Sequence, residues 1–248
     1  MDKYEFSKAK IAHWVERIGV DIRPPIESDL DGHRIQSFGT WARKRYPQLF
    51  DRTVVGNQRF EMLKTLEYPG KPAVDLTTFT MTPRGPVFMV PKRISTVDLE
   101  PDLPPINDVF GDCMRQFQKD FPGKRLLRVG KINEYIFDCG QTPSVELVAT
   151  RFSRLSVPSD GELLIRVNRP DSNYNRILIL EPVVGKSQSQ PGGPLETVGF
   201  GVKVTVDVNN RNLRELTEPE WMTVLNESDM YNREGMYGFL NNPKDESE

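Results

Sequence analysis

Chemistry in this 248-residue chain could reside in its two histidines, its two cysteines and a few short charged or glycine-bearing runs. His13 and His33 could each serve as a general base. Neither belongs to a His-x-x-x-His or His-Glu-x-x-His unit, so each reads as a structural residue, His13 beside Trp14 on an amphipathic helix and His33 at the opening of another. Cys113 and Cys139 form no Cys-x-x-Cys pair, which speaks against a structural zinc site or a disulfide scaffold and for two core thiols. A Gly-x-Ser-x-Gly nucleophile elbow does not occur. No catalytic residue, metal site or cofactor is therefore assigned from these types.

Three runs imitate ligand-binding loops and fail on one residue each. Glu27, Asp29, Asp31 and Gly32 open like a calcium loop, but its twelfth position, where a bidentate glutamate is needed, is Phe38. Gly185-Lys186-Ser187 ends like a phosphate loop, yet the first glycine of that motif would be residue 180, which is Leu180. Gly199-x-Gly201 lies inside an alternating strand pattern and lacks the third glycine of a dinucleotide fingerprint.

Two positive candidates remain. The alternation over Leu126 to Phe137 changes phase near Gly130, because Leu127 and Val129 are odd-numbered whereas Ile132 and Ile136 are even. A β-bulge at Gly130 would produce that change and re-aim Arg128, Asn133 and Glu134 toward a pocket. The competing structural reading pairs Arg128 with Glu134 on the strand surface and leaves Asn133 to a turn. The second candidate is basic: Arg125, Arg128, Lys131, Arg151 and Arg154 could converge with Arg84, Lys92 and Arg93 on a nucleic acid. Aromatic side chains do not interleave with them as in a base-stacking sheet, so a scattered solvated face is the better expectation.

The elements that must position these residues follow from periodicity. Ile11, Trp14, Val15 and Ile18 recur at helical spacing and predict an N-terminal helix over about Lys8 to Ile18, ended by Gly19. A second helix is expected over His33 to Tyr46, with Ile35, Phe38 and Ala42 on one face. Ala73 to Met81 and Pro86 to Val90 read as a hairpin about Thr82-Pro83-Arg84-Gly85. Three prolines mark residues 98–106 as a linker. A helix capped by Asn107 then carries Phe110, Cys113, Phe117 and Phe121 inward, and a short helix is expected near Val145 to Phe152. Val198, Phe200, Val202, Val204, Val206 and Val208 alternate with small or polar residues, giving a strand whose hairpin partner is Arg176 to Val184. Thr217 and Glu220 form a capping box, with Pro219 in the first turn and Leu216 stapled to Trp221.

Composition bounds the rest. Hydrophobic residues make up 37% and charged residues 27%, which suits a folded chain with a wet surface. The formal net charge is −2, so no global field draws the chain to nucleic acid or an acidic membrane. The first residues lack the apolar core of a secretory signal, and no run reaches the length of a membrane span; a cytoplasmic location without membrane contact is expected.

Arg128-Val129-Gly130-Lys131-Ile132-Asn133 resembles the Arg-x-Gly-x-Arg-Tyr-Ile-Asn signature of a sporadically distributed bacterial family of uncharacterised proteins of about this length. Pro24-Pro25-Ile26-Glu27 is similar to that family's early Pro-Pro element, and Tyr46-Pro47 to the pair that follows its first long helix. Lys131 stands for the family's arginine, and the aromatic residue before Ile132 is missing. The resemblance implies an α+β fold in a bacterial cytoplasm and a role in a mobile or antiviral defence gene cluster; it brings no activity, catalytic residue or cofactor.

The expectation that results is an α+β fold of antiparallel sheets packed with helices, in two similar halves. A docking helix would occupy residues 1–19, the halves 20–97 and 107–240, the linker 98–106 and a flexible tail 241–248. The expected function is a non-enzymatic protein-interaction or assembly subunit, acting as a homo-oligomer or with a protein partner. Ile11, Trp14, Val15, Ile18, Tyr237, Phe239 and Leu240 would form its interface, since short apolar elements lie at both ends of the chain. The alternatives are an enzyme with a pocket between the halves and a nucleic-acid-binding protein using the basic cluster.

Overall fold

The computed structural model of the chain describes residues 4–26, 32–56, 59–66, 74–94, 97–153, 156–158, 161–188 and 195–243. The strands are β1 (Ile11–Arg23), β2 (Arg52–Gly56), β3 (Arg59–Leu66), β4 (Val74–Thr82), β5 (Gly85–Ile94), β6 (Val97–Asp98), β7 (Arg125–Gly140), β8 (Ile165–Asn168), β9 (Tyr174–Gln188) and β10 (Leu195–Asn210). The helices are α1 (Gly32–Arg45), α2 (Ile106–Asp120), α3 (Ser144–Phe152), α4 (Glu218–Met230) and α5 (Met236–Asn241). This is an α+β protein built on one ten-stranded sheet, ordered β2-β3-β4-β5-β1-β7-β10-β9-β8 with β6 beside β5. Every strand pairing in it is antiparallel.

The order of elements repeats. β1, α1 and the meander β3-β4-β5 are followed by α2, and β5 returns to lie beside β1. β7, α3 and the meander β8-β9-β10 are followed by α4, and β10 returns to lie beside β7. β1 and β7 pair with each other along their length, from Ile11 opposite Phe137 to Arg23 opposite Arg125, so the sheet is continuous across the centre.

The expected docking helix over Lys8 to Ile18 is a correction. Only Lys8–Lys10 form a 3-10 turn, and Ile11–Arg23 is a central strand with neighbours on both sides. Ile18, Val20 and Ile22 alternate inward on it, and β-branched residues gain more in a central sheet position than in an isolated short helix. Residues 98–106, expected as a linker, hold the end of β6 and a 3-10 turn at Glu100–Asp102. The cap of α2 is Pro105 rather than Asn107, which lies in the first turn of the helix. Gly130 is regularly paired with both Gly19 and Asn209; the irregularity in β7 falls at Leu127, where Leu126 and Arg128 take consecutive partners Ile22 and Asp21.

The other expected elements form as the periodicity requires. Ile35, Phe38 and Ala42 are buried on α1, and Phe110, Cys113 and Phe117 on α2, with Phe121 just past its end. The β4–β5 and β9–β10 hairpins form, and the Thr217–Glu220 capping box starts α4. The acidic run at Glu27, Asp29 and Asp31, Arg154, and the tail from residue 244 lie outside the described residues. Among the described residues no helix is long and apolar enough to cross a membrane.

Candidate functional site

The buried face of the sheet is apolar at both ends and polar in the middle. On β1, Ile18, Val20 and Ile22 join one apolar cluster and Ile11 another; between them the inward residue is Glu16. On β7, Leu126 and Val129 belong to the first cluster and Tyr135, Phe137 and Cys139 to the second, with Lys131 and Asn133 between. The C-terminal helices follow suit: Trp221, Val224 and Leu225 pack in the first cluster, Met236, Phe239 and Leu240 in the second, and Ser228, Asp229 and Asn232 lie between. Three segments distant in sequence thus exchange apolar packing for polar groups at one level of the fold. Burying ionised groups costs free energy unless partners compensate, so such a break requires a reason beyond stability.

The polar groups line a cleft of about 550 Å³ over β1 and β7, bounded by the 3-10 turn at Glu100 and the first turn of α2 at Asn107 on one side and by Asn226 to Tyr237 on the other. Lys131 is its centre and is only 2% exposed. Its ammonium contacts the Glu16 carboxylate, itself 2% exposed, and donates to Asp229 Oδ1 at 2.6 Å and Asn107 Oδ1 at 2.9 Å. The Asn107 amide donates in turn to Asp229 Oδ2 at 2.7 Å, closing a ring of three side chains from α2, β7 and α4. Lys92 Nζ stands 3.0 Å from Glu16 Oε2 and 3.7 Å from Glu100, and Lys8 lies 3.0 Å from the other Glu100 oxygen. Burial pushes the Glu16 carboxyl up, but the Lys131 and Lys92 ammonium groups together outweigh it and hold the group below the usual carboxylate range.

Asn133 sits opposite Glu16 in the β1–β7 register. Its Oδ1 accepts from the Trp14 indole N–H at 3.0 Å, which fixes the amide's orientation. Among the described residues the Asn133 Nδ2 is then buried without an acceptor. Unsatisfied buried groups of this kind are few in folded proteins. Tyr135 and Trp14 extend the wall with ring centroids 5.4 Å apart, and the Tyr135 hydroxyl donates to Asn232 Oδ1 at 3.1 Å. Asn232 lies in a π-helical turn, Tyr231–Gly235, between α4 and α5. Such turns cost hydrogen-bond quality and recur where a helix is re-aimed at a functional site.

Of the three pocket residues expected from sequence, the cleft takes only Asn133. Arg128 is exposed and donates to Asn209 Oδ1 at 3.1 Å. Glu134 faces the opposite side of the sheet, where Arg17 (3.5 Å) and Lys203 (3.6 Å) flank it, so the expected Arg128–Glu134 pair does not form either. The cause is the bulge at Leu127: it sets the odd-numbered residues from Val129 onward on the covered face, which brings in Lys131 rather than Arg128 and Glu134.

The expected interface residues are largely consumed within the chain. Ile11, Ile18, Phe239 and Leu240 are buried in its own core, while Trp14 and Tyr237 are half-buried and line the cleft. Val15 is half-buried on the opposite face of β1, beside Pro91 and Glu134. The basic cluster also disperses. Lys131 and Lys92 point into the cleft, Arg125 lies 3.6 Å from Glu215, and Arg93 lies 3.1 Å from Asp98. Arg151 donates to the main-chain carbonyls of Tyr4 and Leu240. Neither histidine and neither cysteine lines the cleft. Among the described residues no three His, Cys, Asp or Glu side chains gather as a metal site would require.

Sequence reasoning missed Glu16 and Asp229, and it placed Lys92 and Lys131 only in a basic cluster and Asn107 only at a helix cap. The signal that could have found the first of them was the charged residue at an inward position of a period-two pattern, Glu16-x-Ile18-x-Val20-x-Ile22. Comparison of the chain with protein-family models, with curated proteins and with solved structures gave no match.

Proposed function

We propose that the protein binds a small polar molecule in the cleft over Lys131. The observation that carries this reading is the shared polar break in β1, β7 and the α4–α5 segment, which places Glu16 and Lys131 beneath an open cleft instead of a packed core. Replacing such a buried pair by apolar side chains would commonly cost nothing or add stability, so its presence fits recognition better than folding. The cleft's volume lies within the range of small-molecule sites, and its walls join aromatic faces to convergent polar groups.

Binding is favoured over turnover by the state of Lys131. Its N–H groups are directed to Glu16, Asp229 and Asn107, so it acts as a fixed positive charge with no lone pair offered for attack. The apolar chain ends that suggested a docking role are spent on internal packing, which moves the weight of the reading from a protein partner to a small one.

Thermal-shift measurements on the full chain, against panels of amino acids, organic acids and nucleotides, test the proposal. A member of at least one panel is expected to raise the Tm of the wild type but not that of the Glu16→Gln/Lys131→Met double variant. Equal shifts in both proteins, or no shift from any compound, would contradict it.

A further inference from the structure

We infer that the ligand is a small anion with a flat unsaturated body, its negative group received at the rim by Arg233 and Lys8. This deepens the ligand-binding reading and rests on it. The first support is charge balance. Four cationic side chains line the cleft, Lys8, Lys92, Lys131 and Arg233, against three carboxylates, Glu16, Glu100 and Asp229. The carboxylates are all used by lysines, whereas Arg233 is exposed at the rim with no ion pair among the described residues. A guanidinium without a partner presents a planar fork of donors matched to a carboxylate or phosphate.

The second support comes from the cleft wall and floor. Among the described residues the floor holds one buried side-chain donor without an acceptor, Asn133 Nδ2, which calls for an acceptor atom. Trp14, Tyr135 and Tyr237 supply the flat surface. Lys92 Nζ lies 5.2 Å and Lys8 Nζ 5.9 Å from the Trp14 ring centroid, so a planar body placed along this wall meets positive charge. A ligand amine would face the same two ammonium groups and be repelled.

Titration calorimetry on the full chain separates the alternatives with four probes: benzoate, adenosine 5′-monophosphate, uncharged adenosine and benzylamine. Binding of benzoate or the monophosphate, with adenosine and benzylamine weaker by about tenfold or more, is expected. Which anion binds distinguishes carboxylate from phosphate. Arg233→Gln, at an exposed position, is expected to weaken the anion by about tenfold, and Lys8→Gln to weaken it less. Preference for benzylamine or adenosine over both anions, undiminished anion binding by Arg233→Gln, or no binding of any probe would overturn the inference. A benzylamine isotherm abolished in Trp14→Phe would leave the cleft a ligand site with the opposite preference, whereas failure of the broader thermal-shift panels would remove the site itself.

Discussion

Glu16 and Lys131 stand on the two central strands, two positions out of direct register, and bring opposite charges together where neither reaches solvent. Lys131 then ties α2 and α4 to the sheet through Asn107 and Asp229, so one side chain connects the floor of the cleft to both of its walls.

Removing one member of this pair strands the other. Lys131→Met leaves Glu16 buried with only Lys92 beside it, and an expected loss of about 3 kcal/mol follows. The Glu16→Gln/Lys131→Met double variant leaves no stranded charge on either residue and should recover most of that loss. Urea denaturation of the wild type, the single variants and the double variant measures the coupling directly.

The same pair sets a pH dependence. The Glu16 carboxyl is held below its unfolded value, so it stabilises the fold above the unfolded pKa of about 4.3, and this stability disappears as pH falls through the lower folded value. The stability advantage of the wild type over Glu16→Gln should therefore be full near pH 7 and shrink as pH falls below about 5. Asp98, Asp112, Asp171 and Glu220 are also held low, but they are common to both proteins and cancel in the difference.

Trp14 reports on the cleft by itself. It is the tryptophan that lines the site, while Trp221 is buried in the other apolar cluster and Trp41 packs beside it from α1. A ligand that enters should change the indole emission, and Trp14→Phe should abolish that change, at a cost of about 1–3 kcal/mol because the buried Asn133 Oδ1 loses its donor. A persistent change in the variant would place the ligand elsewhere.

Gly85 tests the frame that carries β1. It closes the β4–β5 turn with φ of 143°, and an added Cβ would lie 2.3 Å from the Val20 carbonyl oxygen on β1. Gly85→Ala should cost about 1–3 kcal/mol by urea denaturation.

The parts of the fold with unbroken apolar periodicity were legible in the sequence. The Ile35, Phe38 and Ala42 stripe of α1, the valines of β10 and the Thr217–Glu220 box each follow from one local rule. β1 reads as a helix in the sequence because its inward row is interrupted by Glu16, while Ile11, Trp14, Val15 and Ile18 satisfy a helical spacing by coincidence. β7 is legible as a strand, but its inward face is not. Lys131 and Asn133 occupy buried positions, and Ile132 and Ile136 lie half-buried on the other face, which inverted the apparent phase. The residues that hid the strands are those that make the cleft, as expected where local rules yield to a site. Asn107 and Asp229 were out of reach for a different reason: their meeting with Lys131 spans 24 and 98 residues of sequence and depends on tertiary packing alone.

The cleft's role is tested most directly by crystals of the full chain soaked with whichever anion titrates. Density for the compound between Trp14 and Arg233, with an acceptor atom within hydrogen-bond distance of Asn133 Nδ2, is the predicted result. Density for the compound only at other surfaces, with the groups around Lys131 unchanged, would contradict it.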